Sequence, residues 1–410
     1  MYKALVLLWC SGLFAADVGP LQQLADKNRF FELRRELEQQ GWSSAETLCF
    51  QAVIASRFGH EGEGIEGLQK ILETKPGPET ARKTHEEMAA AFARLGRYKD
   101  ASQAWGEALL LTPGNDPERD GNDNTRALMA ALSEVLPETA DFGGDITVKA
   151  THNRLGSWNV PVRVNGAEGQ WIFDTGANIS TLTETEAKRM GLAVRETKAY
   201  VNGSTQKRNA LQVAVASDVQ LGGAHVHNVV FLVLADEALH IGPMDYQITG
   251  ILGLPVLRAL GRVAISSTGL VRVHAQDAIA QGAPNMFFDE ESPIVEVVHD
   301  QHRLQMFLDT GANAGVLYPS FREAVGRDEN PRLRTKREKV AGAGGVIERK
   351  TEVVPTLGIE IFGKPIRLKK LSLLPEAPPG SGRYRDGVIG MDALWGGFRL
   401  DFDAMRLEIE

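Results

Sequence analysis

Two aspartates stand at the head of the same five-residue word. Asp174-Thr175-Gly176-Ala177-Asn178 returns as Asp309-Thr310-Gly311-Ala312-Asn313, 135 residues further on. A single Asp-Thr-Gly arises by chance, and an Asp in a turn often only caps its own loop. Two such carboxylates brought side by side would behave differently. They cannot both ionise cheaply, so they hold one proton between them and titrate as a pair. The ionised member can take a proton from water while the protonated one polarises a carbonyl, and the roles reverse for the leaving group. This chemistry requires no metal and no cofactor.

The surroundings of the two words say how they would be positioned. Trp171-Ile172-Phe173 precedes the first and Met306-Phe307-Leu308 the second, so an apolar strand leads each Asp into a tight turn. Gly176 and Gly311 allow the close backbone approach of such a turn. Thr175 and Thr310 each offer a short hydroxyl to a backbone group of the facing loop. Further landmarks repeat in the same order. Val160-Pro161-Val162-Arg163-Val164 answers to Val295-Glu296-Val297-Val298-His299 at an offset of 135. Leu221-Gly222-Gly223 answers to Ile361-Phe362-Gly363 at 140, and Ile251-Leu252-Gly253-Leu254 to Val388-Ile389-Gly390-Met391 at 137. The chain therefore carries an internal duplication. The copies part after the shared word, where Ile179-Ser180-Thr181 faces Ala314-Gly315-Val316.

Each copy, Asp-Thr-Gly-Ala followed about 80 residues later by an apolar-apolar-Gly element, resembles one subunit of the retropepsin-like aspartic peptidases. The resemblance covers roughly residues 146–410 and implies two all-β domains, at 146–275 and 285–410, forming a pseudo-dimer within one monomeric chain. It implies peptide-bond hydrolysis with Asp174 and Asp309 as the catalytic pair, and Ile251-Leu252-Gly253 and Val388-Ile389-Gly390 as braces behind them. It also implies a glycine-bearing hairpin flap over the substrate in each half. The matching positions are Asn202 and Gly203 in one half and Gly342, Gly344 and Gly345 in the other. Asn-Gly is a strong hairpin-turn signal. Two other readings stand beside this one: pairing of Asp174-bearing halves between chains, and a degenerate cleft that holds a peptide or protein without cutting it.

Before the duplication, residues 17–140 read as helix. His85 to Leu95 and Lys99 to Leu111 form one amphipathic hairpin around the turn Gly96-Arg97-Tyr98, stopped by Pro113-Gly114. Phe58-Gly59-His60, Ile65 to Thr74 and Pro76-Gly77 repeat that plan 37 residues earlier. These residues resemble tetratricopeptide repeats, whose period is about 34, with a third hairpin at Leu21 to Gln40. Such pairs stack into a curved surface, which fits either a dock for a protein partner or a plain support. Residues 113–124 read as an acidic loop and 137–145 as a linker.

The remaining features narrow the class. Lys3, an apolar run from Ala4 to Phe14, and Ala15-Ala16 before Asp17 describe a secretory signal peptide over residues 1–16, hence a secreted or periplasmic protein. That run is shorter than the roughly 20 residues that span a bilayer, so no stable membrane anchor is expected. Cys10 would leave with the signal, and Cys49 in an apolar helical pattern reads as a buried thiol. The net charge of −8 argues against nucleic acid as a partner. His225 and His227 alternate on a strand without a third ligand, so no metal is expected. Arg383-Tyr384-Arg385 reads as a solvated loop.

Overall fold

The computed structural model describes residues 18–39, 42, 44–202, 208–274, 282–325, 333–342, 345–376 and 385–410. Residues 1–16, expected to be a signal peptide, and Gly203, Gly344, Arg383 and Tyr384 lie outside the described residues. The chain forms two compact units. One comprises Met1–Leu136 together with Phe287–Glu291, and the other Pro137–Met286 with Ser292–Glu410.

The first unit is helical. Its helices are α1 (Gly19–Asp26), α2 (Phe30–Gln39), α3 (Ser44–Arg57), α4 (Glu61–Glu73), α5 (Pro78–Arg94), α6 (Tyr98–Leu111) and α7 (Arg119–Ala131). The two hairpin turns are built alike. Gly59 and Gly96 take φ of 87° and 66°, in the left-handed region that favours glycine. His60 N–H then reaches Ala55 O, and Arg97 N–H reaches Phe92 O, both at 2.9 Å. This is the six-to-one bond that closes a helix end. Inside the first hairpin, a Cβ on Gly64 or Gly67 would sit 2.6 Å from Ser56 or Ala52, so the close approach of α3 and α4 depends on both glycines.

Residues 113–124 differ from the loop expected there, because α7 begins at Arg119. Its polar first turns conceal the amphipathic pattern, while Arg119 ties its start to α6 by donating to Leu109 O and Thr112 O at 2.8 and 2.7 Å. Cys49 is a buried free thiol.

The second unit is all-β apart from short helices. In its first half, Ala167–Phe173 runs parallel to Gly250–Leu252 and antiparallel to Trp158–Val164. Long antiparallel strands, Arg195–Asn202, Arg208–Leu221 and Ala224–Leu234, complete the sheet, which closes on itself where Arg163 meets Gln220. The second half repeats this. His302–Leu308 runs parallel to Gly387–Ile389 and antiparallel to Ser292–His299, and Val298 meets Glu360 at the closure. Register is retained too: Ile172 pairs with Ile251 as Phe307 pairs with Val388. A separate five-stranded sheet takes strands from both halves and joins them through Arg262–Ser266 against Gly397–Asp401.

The segment read as a linker contains a strand. Thr139–Phe142 pairs with Ala224–His227, using backbone bonds that need no apolar run to form. Just ahead of it the Glu138 carboxylate accepts the Val230 N–H at 3.0 Å. Burial pushes Glu138 up from 4.5 to about 8, against that hydrogen bond. The folded state therefore keeps a proton that the unfolded chain has released. This contribution to stability is present below pH 4.5 and is lost as pH rises through about 8. Thermal melting of Glu138→Gln is expected to lose less between mildly acidic and mildly alkaline pH than the wild type.

His225 and His227 lie on the partner strand, bonded at 3.0 Å to Asp218 and Asp141 respectively. Asp141 raises the His227 pKa. Among the described residues no group of three or more His, Cys, Asp or Glu is placed to hold a metal.

Candidate active site

The two repeated words meet at the centre of the β unit. Each strand ends by handing its Asp to a loop, and the apolar-apolar-Gly element lies directly behind. Asp174 N–H donates to Leu252 O, and Asp309 N–H to Ile389 O, both at 3.0 Å. Gly253 and Gly390 follow these elements, and neither has room for a side chain. A Cβ on Gly253 would lie 2.6 Å from Ala177 O, and one on Gly390 2.6 Å from the carbonyl carbon of Ala314.

The threonines lock the loops to each other. Thr175 Oγ1 donates to Leu308 O at 2.8 Å and accepts the Thr310 N–H at 3.1 Å. Thr310 Oγ1 donates to Phe173 O at 2.9 Å and accepts the Thr175 N–H at 3.0 Å. Both side chains are buried, so four backbone groups at the heart of the unit find their partners only across the two halves.

This lock sets the carboxyls against each other. A Cβ on Gly176 would lie 2.7 Å from Asp309 Cγ. Asp174 Oδ1 accepts the Gly176 N–H at 2.7 Å and the Gly311 N–H at 3.1 Å. Asp309 Oδ1 accepts the Gly311 N–H at 2.9 Å and the Ala312 N–H at 2.9 Å. One backbone N–H thus serves both acids. Both aspartates retain some surface open to solvent.

Burial raises the Asp174 pKa well above the ordinary carboxylate range, the neighbouring Asp309 charge adds to the rise, and the Gly176 and Gly311 N–H groups oppose it. Burial also raises Asp309, but the Ala312 N–H, the hydrogen bond from Asp174 and the Gly311 N–H all oppose it. Both carboxyls are raised and act on each other, so they titrate as one pair that shares a proton. Such a dyad can deprotonate a water and donate a hydrogen bond to a carbonyl at once.

The flap positions divide. Gly342 and Gly345 face each other across the last pair of the hairpin between Arg334–Gly342 and Gly345–Ile361. Asn202 ends Arg195–Asn202, opposite Arg208. Gly203 and Gly344 fall outside the described residues. The Arg385 guanidinium stacks 5.2 Å from the centre of the Phe307 ring, so this residue of the expected solvated loop packs on the strand that leads to Asp309.

Three supporting residues escape a reading of the repeated word alone. Ser157, fully buried, donates from Oγ to Gly311 O at 2.8 Å. Its trace in the sequence is Ser292, at the same 135-residue offset. Ser180 Oγ accepts the Gly253 N–H at 3.0 Å. The second half has Gly315 there, where a Cβ would lie 2.8 Å from Val388 O, and Asp392 Oδ1 accepts the Gly315 N–H at 2.9 Å instead. The sequence difference after the shared word is thus a difference in how each loop is braced. Ser157→Ala removes its part-buried hydrogen bond to Gly311 O and is expected to cost about 0.5–1.5 kcal/mol, read as a lower denaturant midpoint at unchanged slope.

No curated protein matches the sequence. Among solved structures, a retropepsin-like aspartic protease from Rickettsia conorii aligns at 21% identity and a TM-score of 0.25, covering 34% of this chain and 95% of that one. Residues 160–256 match the family model described as aspartyl protease, so the first β half is similar to that family over the span that delivers Asp174 and braces it.

Proposed function

We propose that this protein is an aspartic endopeptidase whose two retropepsin-like halves, one carrying Asp174 and the other Asp309, cut a peptide or protein substrate within a single chain. The observation that carries the reading is the shared Gly311 N–H, which reaches both carboxylates and holds them as one proton-sharing pair. The aspartyl protease match over residues 160–256 supports the general chemistry.

In the proposed cycle Asp309 removes a proton from a water as the water oxygen attacks the scissile carbonyl carbon. Asp174 passes its proton to the carbonyl oxygen, giving a gem-diol. The proton on Asp309 then moves to the amide nitrogen, the C–N bond breaks, and Asp174 recovers a proton from the diol as the new carboxyl forms. The hairpins that reach Asn202 in the first half and the Gly342–Gly345 pair in the second act as flaps over the substrate. Thr175, Gly176, Thr310 and Gly311 hold the loops. No cofactor takes part in this cycle. The helical hairpins are tetratricopeptide-like, and the leader directs the chain to a secreted or periplasmic location.

The test is hydrolysis of a peptide library in ¹⁸O-labelled water at acidic and neutral pH. A single labelled oxygen in each new carboxyl terminus is expected. Intact peptides at every pH, with a peptide still bound, would replace the enzyme by a non-catalytic binding protein.

A further inference from the structure

The helical unit holds a five-residue piece of chain from far along the sequence. Phe287–Glu291 pack among the helices α2, α3 and α5. The Phe287 ring lies edge-on to Phe30 and Phe31, with centres 5.4 and 4.9 Å away, and 5.6 Å from Phe58. It is 1% exposed and Phe288 is fully buried. The Arg94 guanidinium stands 5.8 Å over the Phe288 ring.

Charge follows the aromatic pair. Arg57, buried beneath the segment, donates to Asp289 Oδ1 at 2.9 Å and to Glu87 Oε2 at 2.8 and 3.0 Å. Arg94 donates to Glu290 O at 2.6 Å, and is itself held by Glu61 and Ser56. Both arginines come from the first helix of a hairpin, and both are fixed from behind by α3, α4 or α5 before the segment is counted. A cavity of about 120 Å³ continues beside the seat, lined by Arg57, Lys83, Glu86, Glu87 and Trp105, with Glu290 at its edge.

This goes beyond what a stable core needs. Buried ion pairs contribute little net stability compared with apolar packing, but they discriminate sharply between ligands. Aromatic anchors in a desolvated pocket with an adjacent pre-held arginine are the usual make-up of a binding hot spot.

We infer that the face formed by α3 and α5 is a recognition site for an extended peptide with two aromatic residues followed by acidic ones, and that Phe287–Glu291 of the same chain is its resident ligand. The site is filled in cis. A helical surface expected to receive a separate partner is thus committed at this face to the chain itself. The inference does not depend on the aspartyl dyad cutting anything.

The probe is a fluorescein-labelled peptide with the sequence of residues 285–292, added to the full chain. The double variant Phe287→Ala/Asp289→Ala empties the seat and is expected to bind the peptide at least about tenfold more tightly than wild type, whose seat is occupied. Adding Arg57→Lys to that variant, which keeps a cation beside Glu87 but loses the planar fork, is expected to weaken the binding at least about tenfold with native helical circular dichroism retained. A double variant with native helical circular dichroism that ignores the peptide, equal binding by the wild type, or binding indifferent to Arg57 overturns the inference. Should the double variant fail to fold, hydrogen–deuterium exchange of Arg57→Gln decides. Exchange at 287–291 at least about tenfold faster than in wild type, beyond any rise across α6 and α7, is expected, and unchanged exchange there, or an equal rise throughout the helical unit, overturns the proposal.

Discussion

Asp174→Asn and Asp309→Asn are each expected to lower kcat/KM for peptide hydrolysis by at least about 100- to 10,000-fold, the range that positioned acid–base groups supply. Neither variant should behave as a half-active enzyme, because base and acid are two states of one pair. Retained activity in either single variant would sink the one-chain dyad. The wild-type pH profile of kcat/KM should be bell-shaped. Activity falls on the acid side as the pair takes up a second proton, and on the alkaline side as the shared proton leaves. Burial displaces the second step upward.

The sign for stability runs the other way from that of an exposed carboxylate. A raised folded-state pKa means that stability is present at low pH and is lost as pH rises through the pair's titration. Asp174→Asn cannot acquire that buried charge. It should therefore melt no lower than wild type at alkaline pH while being inactive, which separates a catalytic loss from a folding loss.

The second large effect concerns the helical unit. Arg57→Ala is expected to destabilise it by about 3–5 kcal/mol, because Glu87 and Asp289 would lose the cation that bonds both at 2.8 and 2.9 Å, with Arg94 left 3.9 Å from Glu87. Burial alone would lower the Arg57 pKa, but the two carboxylates outweigh it and hold the guanidinium charged. Over a unit of this size the melting step should fall on the order of 10–20 °C. An exposed pair offers the contrast. Arg163–Glu168 lies at the surface, and removing it should change melting by about 0–1 kcal/mol at most. A melting curve for Arg57→Ala that superimposes on wild type would contradict the buried triad.

Much of the site was legible because it is local and repeated. The word, the strand before it and the apolar-apolar-Gly element are short patterns, and their recurrence at near-constant offset implied that the two copies share a fold. The parallel register of Ile172 with Ile251 and of Phe307 with Val388 follows from them. The hairpin turns at Gly59 and Gly96 were readable for the same reason. What stayed hidden depends on distant chain. Arg119 reads as part of an acidic loop until Leu109 O and Thr112 O are seen to receive it. Thr139–Phe142 has no apolar run and becomes a strand only because Ala224–His227 lies alongside. Phe287 looks like one more strand residue, and nothing near it in sequence announces Phe30, Phe31 and Phe58.

Asp174 takes the Gly176 and Gly311 N–H groups while Asp309 takes those of Gly311 and Ala312, so the two acids are held by different donors. An assembly of two identical subunits starts with identical carboxyls, so its proton must choose a side anew in each molecule. A fused gene is free of that constraint. Here the loop after one aspartate is braced by Ser180 and the loop after the other by Asp392, and each could drift separately after duplication. Within one chain the two loops need not match, and the different N–H donors at Asp174 and Asp309 are where that asymmetry reaches the carboxyls.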